Sequence, residues 1–129
     1  MLGDRLPAQI VEALDEQIAA HLTAWGPATE LPGSPAYEDD GYWRGPIWAP
    51  STLLIEDGLR RAGRMPLADR VSGAFRAVCE RSGFAENFDA ITGAGLRDRA
   101  YTWTASVYLT LAVDAATRAT TPSRTAGEQ

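Results

Sequence analysis

Ten consecutive residues, Gly41-Tyr42-Trp43-Arg44-Gly45-Pro46-Ile47-Trp48-Ala49-Pro50, carry most of the chain's concentrated side-chain chemistry. Two indoles, a phenol and a guanidinium lie among two glycines and two prolines. Proline fixes φ and removes a donor, and glycine opens φ values closed to other residues. The mix predicts an irregular loop of fixed shape. Large aromatics are out of place on a mere surface connection. Tyr42, Trp43, Arg44 and Trp48 therefore read as a pocket wall, or else as aromatics that plug the end of a helical core. Other chemistry is sparse. Cys79 falls on the apolar side of an expected helix and reads as a buried, inert thiol. His21, the only histidine, has no partner residues near it in sequence and reads as a surface or helix-end residue. Glu38-Asp39-Asp40 reads as a solvated acidic turn, with a hard-cation site left open as an alternative.

Those residues need elements to hold them. Ile10, Val11, Leu14, Ile18 and Leu22 recur at helical spacing and predict a helix from Pro7 to about Thr23. Residues 25–40 form a long connection rich in Gly, Pro and Ser. A second helix starts at Pro50 or Ser51, buries Leu53, Leu54, Ile55 and Leu59, and ends at Gly63 in a left-handed cap. A third runs from Pro66 to about Arg81 and stops at Gly83. The short link between them predicts a hairpin. Residues 84–99 are irregular again, with a tight turn over Asp89 to Gly93. The segment Tyr101-Thr102-Trp103-Thr104 then leads into a fourth helix through Val107, Leu109, Leu111 and Val113. Strict alternation is absent, so the fold class is all-α. Two long loops suit a larger helical array better than a closed bundle. Polar residues 117–129 are expected to form a disordered tail.

Composition narrows the class. The 129 residues are 45% apolar and 22% charged, as expected of one soluble globular domain. Net charge is −5, all 12 basic residues are arginine, and they form no stripe, which argues against nucleic acid. A single cysteine excludes an internal disulfide framework. No segment approaches a membrane span or a signal core, so no membrane partner and a cytoplasmic setting are expected.

Three motifs in fixed order make the chain recognisable. They are Gly41 to Trp48, then Phe84-Ala85-Glu86-Asn87-Phe88-Asp89 with Thr92-Gly93 and Gly95, then Tyr101-Thr102-Trp103-Thr104-Ala105. Together they resemble the C-terminal part of glycoside hydrolase family 63 and its relatives, most closely the bacterial mannosylglycerate and glucosylglycerate hydrolase branch. The resemblance covers residues 1 to about 116 and implies part of an (α/α)6 toroid, a ring of helical hairpins. It implies an inverting hydrolase with two carboxyl groups and no cofactor or metal. Glu86 matches the family's general base, a role a lone loop carboxylate would not suggest. Inversion places a water between base and sugar, with the two carboxyls ~6.5–9.5 Å apart. Tyr42, Trp43 and Trp48 are implied to face a small sugar substrate through ring faces and polar edges. Arg44 binds a sugar hydroxyl or the substrate carboxylate, or holds the loop by a buried ion pair. Trp103 lines the site floor or packs the fourth helix. Arg97, Asp98 and Arg99 read as a structural charge cluster.

The departure from the family is the general acid, whose upstream Gly/Asp-rich loop has no counterpart here. Four helices are a third of a twelve-helix toroid. The expectation is therefore a partial hydrolase, inactive alone. It would lack the N-terminal part of its catalytic domain, or self-associate through exposed apolar helix faces. The alternative is a small helical carbohydrate-binding or interaction module without catalysis.

Overall fold

The computed structural model describes residues 3–120. A short 3-10 turn (Gly3–Arg5) precedes α1 (Ala8–His21), α2 (Ala49–Arg61), α3 (Met65–Ser82) and α4 (Thr102–Thr120). The helix starts follow local chemistry. Pro7 stands just before α1, and Pro50 and Pro66 sit in the first turns of α2 and α3, where a missing N–H costs nothing. Gly63 and Gly83 have positive φ, 75° and 77°, as expected of residues that end helices. Helix α4 runs to Thr120, past the point where the tail was expected to begin. Residues 121–129 lie outside the described residues.

The all-α expectation holds with one correction. A two-stranded antiparallel ladder joins β1 (Asn87–Phe88) to β2 (Gly95–Leu96), in register Asn87↔Leu96 and Phe88↔Gly95. Strands of two residues cannot display a period of two, so the pattern was invisible in sequence. The turn between them falls where composition placed it. Asp89 Oδ1 accepts from the N–H groups of Ile91 and Thr92 at 2.7 and 3.0 Å.

Two apolar clusters share α2 as their centre. One gathers Ile47, Phe75, Val78, Phe88, Val107 and Leu111, all buried, with Cys79 among them. The other gathers Leu59, Leu67, Ala68 and Val71, with Ile18 and Leu22 from α1 and its C-terminal cap against it. Helices α2 and α3 pack as the expected hairpin, and α4 packs on both. Helix α1 buries no residue fully. Its Ile10 and Leu14 stay exposed, as do Leu109 and Val113 on α4 and Leu54, which was expected on the buried side of α2. Among the described residues, nothing covers these apolar side chains fully.

Candidate active site

The aromatic loop is closed by its own backbone. Glu38 N–H donates to the Arg44 carbonyl at 2.8 Å, Gly41 N–H to the Glu38 carbonyl at 3.0 Å, and Arg44 N–H to the Gly41 carbonyl at 3.1 Å. The Arg44 guanidinium adds a 2.7 Å ion pair to Glu38. Both partners are exposed, so the pair lies in solvent and is not the buried ion pair that a loop-holding Arg44 was expected to make. Gly45 is required by space. A Cβ there would stand 2.1 Å from the Glu38 carbonyl oxygen.

Trp48 is the hub of the aromatic cluster. It is fully buried, where the motif implied an open, sugar-facing ring. Its Nε1 donates to the Tyr42 carbonyl at 2.8 Å. Its own carbonyl accepts from the Thr52 hydroxyl at 2.7 Å, which ties it to the start of α2. Trp43 stacks on Trp48 with centroids 4.2 Å apart and planes within 15°. Tyr42 and Trp103 meet the Trp48 ring edge-on at 4.8 and 5.7 Å. Tyr101 continues the series against Trp103 at 4.9 Å. Trp43 and Trp103 remain 47% and 38% exposed, and Tyr42 is similarly open. The result is a wall of exposed rings backed by a buried indole, the geometry that suits C–H faces of a pyranose.

Glu86 is held beside that wall by pairing of its own loop with the residues before α4. Its N–H donates to the Asp98 carbonyl at 2.7 Å, and Tyr101 N–H donates to the Phe84 carbonyl at 2.8 Å. Thr104, buried in the first turn of α4, donates its hydroxyl to the Ala85 carbonyl at 2.7 Å. On the far side, Ile47 and Phe88 exchange both backbone hydrogen bonds, at 2.8 and 3.1 Å, which joins the aromatic loop to the Glu86 loop. Behind the turn, Gly93 (φ 71°) lies against the Trp25 ring, and a Cβ there would come within 2.7 Å of it. The backbone is thus fixed on three sides while the Glu86 side chain stays half-buried.

Tyr101 links the Glu86 loop electrostatically to the wall. Burial raises its phenol above the ordinary tyrosine value, and the nearby Glu86, Tyr42 and Asp98 raise it further. It therefore stays a neutral donor at physiological pH. Tyr101 stands in the third motif, but residue type and spacing alone give it no role there. Arg97 reads in sequence only as part of a charge cluster, whereas it pairs with Asp40 and contacts Asn87 at 3.4 Å. Asp40 is thereby committed to a guanidinium and Glu38 to another, which leaves the acidic turn poor as a cation site. Among the described residues no three His, Cys, Asp or Glu side chains converge as metal ligands. No helix among them is long and apolar enough to cross a membrane.

A separate cleft of about 760 Å³ opens between α2 and α4, lined by Pro50, Leu53, Leu54, Asp98, Tyr101 and Trp103. It shares Tyr101 and Trp103 with the wall but contains none of Glu86, Tyr42 and Trp43. Its lining is largely apolar, as expected of a face that packs on another surface.

Residues 1–104 match the family described as the mannosylglycerate hydrolase MGH1-like glycoside hydrolase domain. The chain belongs to that family. It is 37% identical over 78 residues to a mannosylglycerate hydrolase of Thermus thermophilus, covering 60% of this chain and 19% of that protein. A mannosylglycerate hydrolase of Rubrobacter radiotolerans is 38% identical over 73 residues, covering 57% of this chain and 16% of the relative. The fold superposes on the family-63 mannosylglycerate hydrolase from another strain of Thermus thermophilus, solved with Tris and D-glycerate. The TM-score is 0.74 at 30% identity, over 80% of this chain and 26% of that one. The same enzyme solved with glucose gives a TM-score of 0.71 at 31% identity, over 81% and 28%. The chain thus spans about a quarter of the solved enzyme's length. Its helical hairpins are part of the toroidal glycoside hydrolase fold that the motifs implied, and its homologues are glycoside hydrolases.

Proposed function

We propose that this chain supplies the general-base side and one sugar-binding wall of an inverting hydrolase for a small α-glycoside of glycerate, glucosylglycerate or mannosylglycerate. Glu86 is the base that takes a proton from the attacking water. Trp43, Trp103 and Tyr42 carry the sugar, with Trp48 as their buried support. The observation that carries this reading is the convergence on Tyr101. The backbone N–H of Tyr101 pairs with the Phe84 carbonyl, two residues before Glu86, and its ring meets Trp103 edge-on at 4.9 Å, which supports a base and a wall on one space.

The second carboxyl of an inverting pair is not among the residues of this wall. Asp98 gives its backbone to Glu86, and Asp40 is paired with Arg97. The proton donor then comes from the part of the toroid that this chain does not span. Alone, the chain binds such glycosides weakly and does not hydrolyse them. Loss of a general acid removes roughly 10²–10⁴-fold in rate.

Titration of the ¹⁵N-labelled chain with each glycoside tests this. The indole resonances of Trp43 and Trp103 should move, Glu86→Gln should bind as the parent does, and Trp43→Ala should weaken binding at least tenfold. Hydrolysis by the pure chain that Glu86→Gln abolishes would refute the absence of a local acid. Shifts confined to α1 or to the C-terminal half of α4 would refute the placement of the site.

A further inference from the structure

Base and wall lie on different loops, so something must set the distance between them. The Ile47–Phe88 backbone pair ties the loops together at one point, four or more residues along the chain from Tyr42 and Trp43. One side chain reaches across that gap. The Arg97 Nη1 pairs with the Asp40 carboxylate and approaches Asn87 Oδ1 at 3.4 Å, while Nη2 approaches the Asp40 carbonyl at 3.3 Å. The guanidinium carbon stands 5.0 Å from the centre of the Tyr42 ring. Asn87 is adjacent to Glu86 and fully buried, and its Nδ2 has no partner among the described residues. The Arg97 contact is therefore the polar contact that orients the Asn87 side chain.

The backbone agrees with the side chains. Among the described residues, Tyr42 and Arg97 are the two non-glycine residues at positive φ, 61° and 60°. Such conformations are sparsely populated by residues with a Cβ and persist where the surroundings over-determine them. Here the two strained residues touch each other.

We propose that Arg97 is a positioning residue that sets the separation between Glu86 and the Tyr42–Trp43 wall, gripping Asp40 and Tyr42 on one loop and Asn87 on the other. The proposal rests on the reading of Glu86 and Trp43 as parts of one site. A base displaced by ~1 Å can cost ~10²-fold in rate, so the link matters to chemistry more than to stability. The pair is partly exposed, 29% for Arg97 and 62% for Asp40, and such pairs add little to stability. Lysine would keep the charge but not the planar fork that serves several acceptors and stacks on a ring.

The stacked Trp43–Trp48 pair gives a sugar-free reporter, because closely stacked indoles, here 4.2 Å apart, produce an exciton couplet in far-UV circular dichroism. Arg97→Ala should lose at least half of that couplet, with the melting midpoint within about 4 °C of the parent. The side-chain amide of Asn87 should shift in the same variant, since both loops lose one anchor. Arg97→Lys should fall between the two, and Asp40→Asn with Arg97→Ala should be no worse than Arg97→Ala alone. An unchanged couplet in Arg97→Ala and Arg97→Lys overturns the proposal, as does an unmoved Asn87 amide. A chain that binds no glycoside yet behaves this way would sink the proposed function and leave the clamp standing.

Discussion

Gly45→Ala is the sharpest perturbation that the site loop offers. The added methyl would sit 2.1 Å from the Glu38 carbonyl oxygen and 3.2 Å from the Tyr37 ring. Backbone cannot yield as a flexible side chain does, so Glu38 must move by about 1 Å to restore van der Waals contact. That oxygen accepts the Gly41 N–H, and the Glu38 N–H serves the Arg44 carbonyl. Losing two backbone hydrogen bonds costs about 1 kcal/mol each. Overpacking at the buried Gly45 adds about 1–3 kcal/mol, and the exposed Glu38 can rearrange locally, which favours the low end. The expected loss is about 2–4 kcal/mol, measured as the shift in urea unfolding free energy. Gly33→Ala is the matched control, since a Cβ at Gly33 meets nothing within 4 Å. It should change stability by less than about 0.5 kcal/mol. If the two variants unfold at the same urea concentration, the loop is not closed as described, and the argument that its glycine fixes the wall fails.

Other outcomes follow from burial and exposure. Burial in the main apolar cluster pushes the Cys79 thiol up to about 12, from an ordinary value of 9.0. A raised folded value means that the unfolded chain releases this proton first. Its contribution is complete below about pH 9 and is lost as pH climbs towards 12, by about 1.4 kcal/mol per pH unit. Cys79→Ala should flatten the fall in melting temperature between those limits; an identical alkaline fall in both proteins would refute it. Leu109 and Val113, 59% and 62% exposed at i, i+4 spacing on α4, should drive self-association of the isolated chain. Burying the part of each that is still exposed is worth roughly 1–2 kcal/mol. Leu109→Glu with Val113→Glu should shift sedimentation towards monomer; a parent already monomeric at high concentration would contradict this.

Much of this was legible because it depends on local rules. The helix limits followed from Pro7, Pro50, Pro66, Gly63 and Gly83, whose backbone preferences hold in any context. The buried face of α3, with Val71, Phe75 and Val78, followed from helical spacing. What was missed depends on distant partners. Trp48 and Trp43 look alike in a motif, but only packing shows that one is the buried hub and the other the exposed surface. Asp40 and Arg97 are 57 residues apart, so no window contained both ends of their pair. The β1–β2 ladder is shorter than any pattern that could announce it. The lone Glu86 carboxylate acquired meaning only from its flanking motif, and its placement beside Tyr101 required the backbone pairing of residues 84–86 with 98–101.

The central claim is that Glu86 acts as a general base across from an aromatic wall. The direct measurement is turnover of mannosylglycerate by a chimera in which this chain replaces the matching quarter of the Thermus thermophilus enzyme, with and without Glu86→Gln. The account predicts that the parent chimera hydrolyses the glycoside, and that Glu86→Gln lowers kcat by roughly 10²–10⁴-fold while KM stays within about threefold. Undiminished kcat in the Glu86→Gln chimera would contradict it.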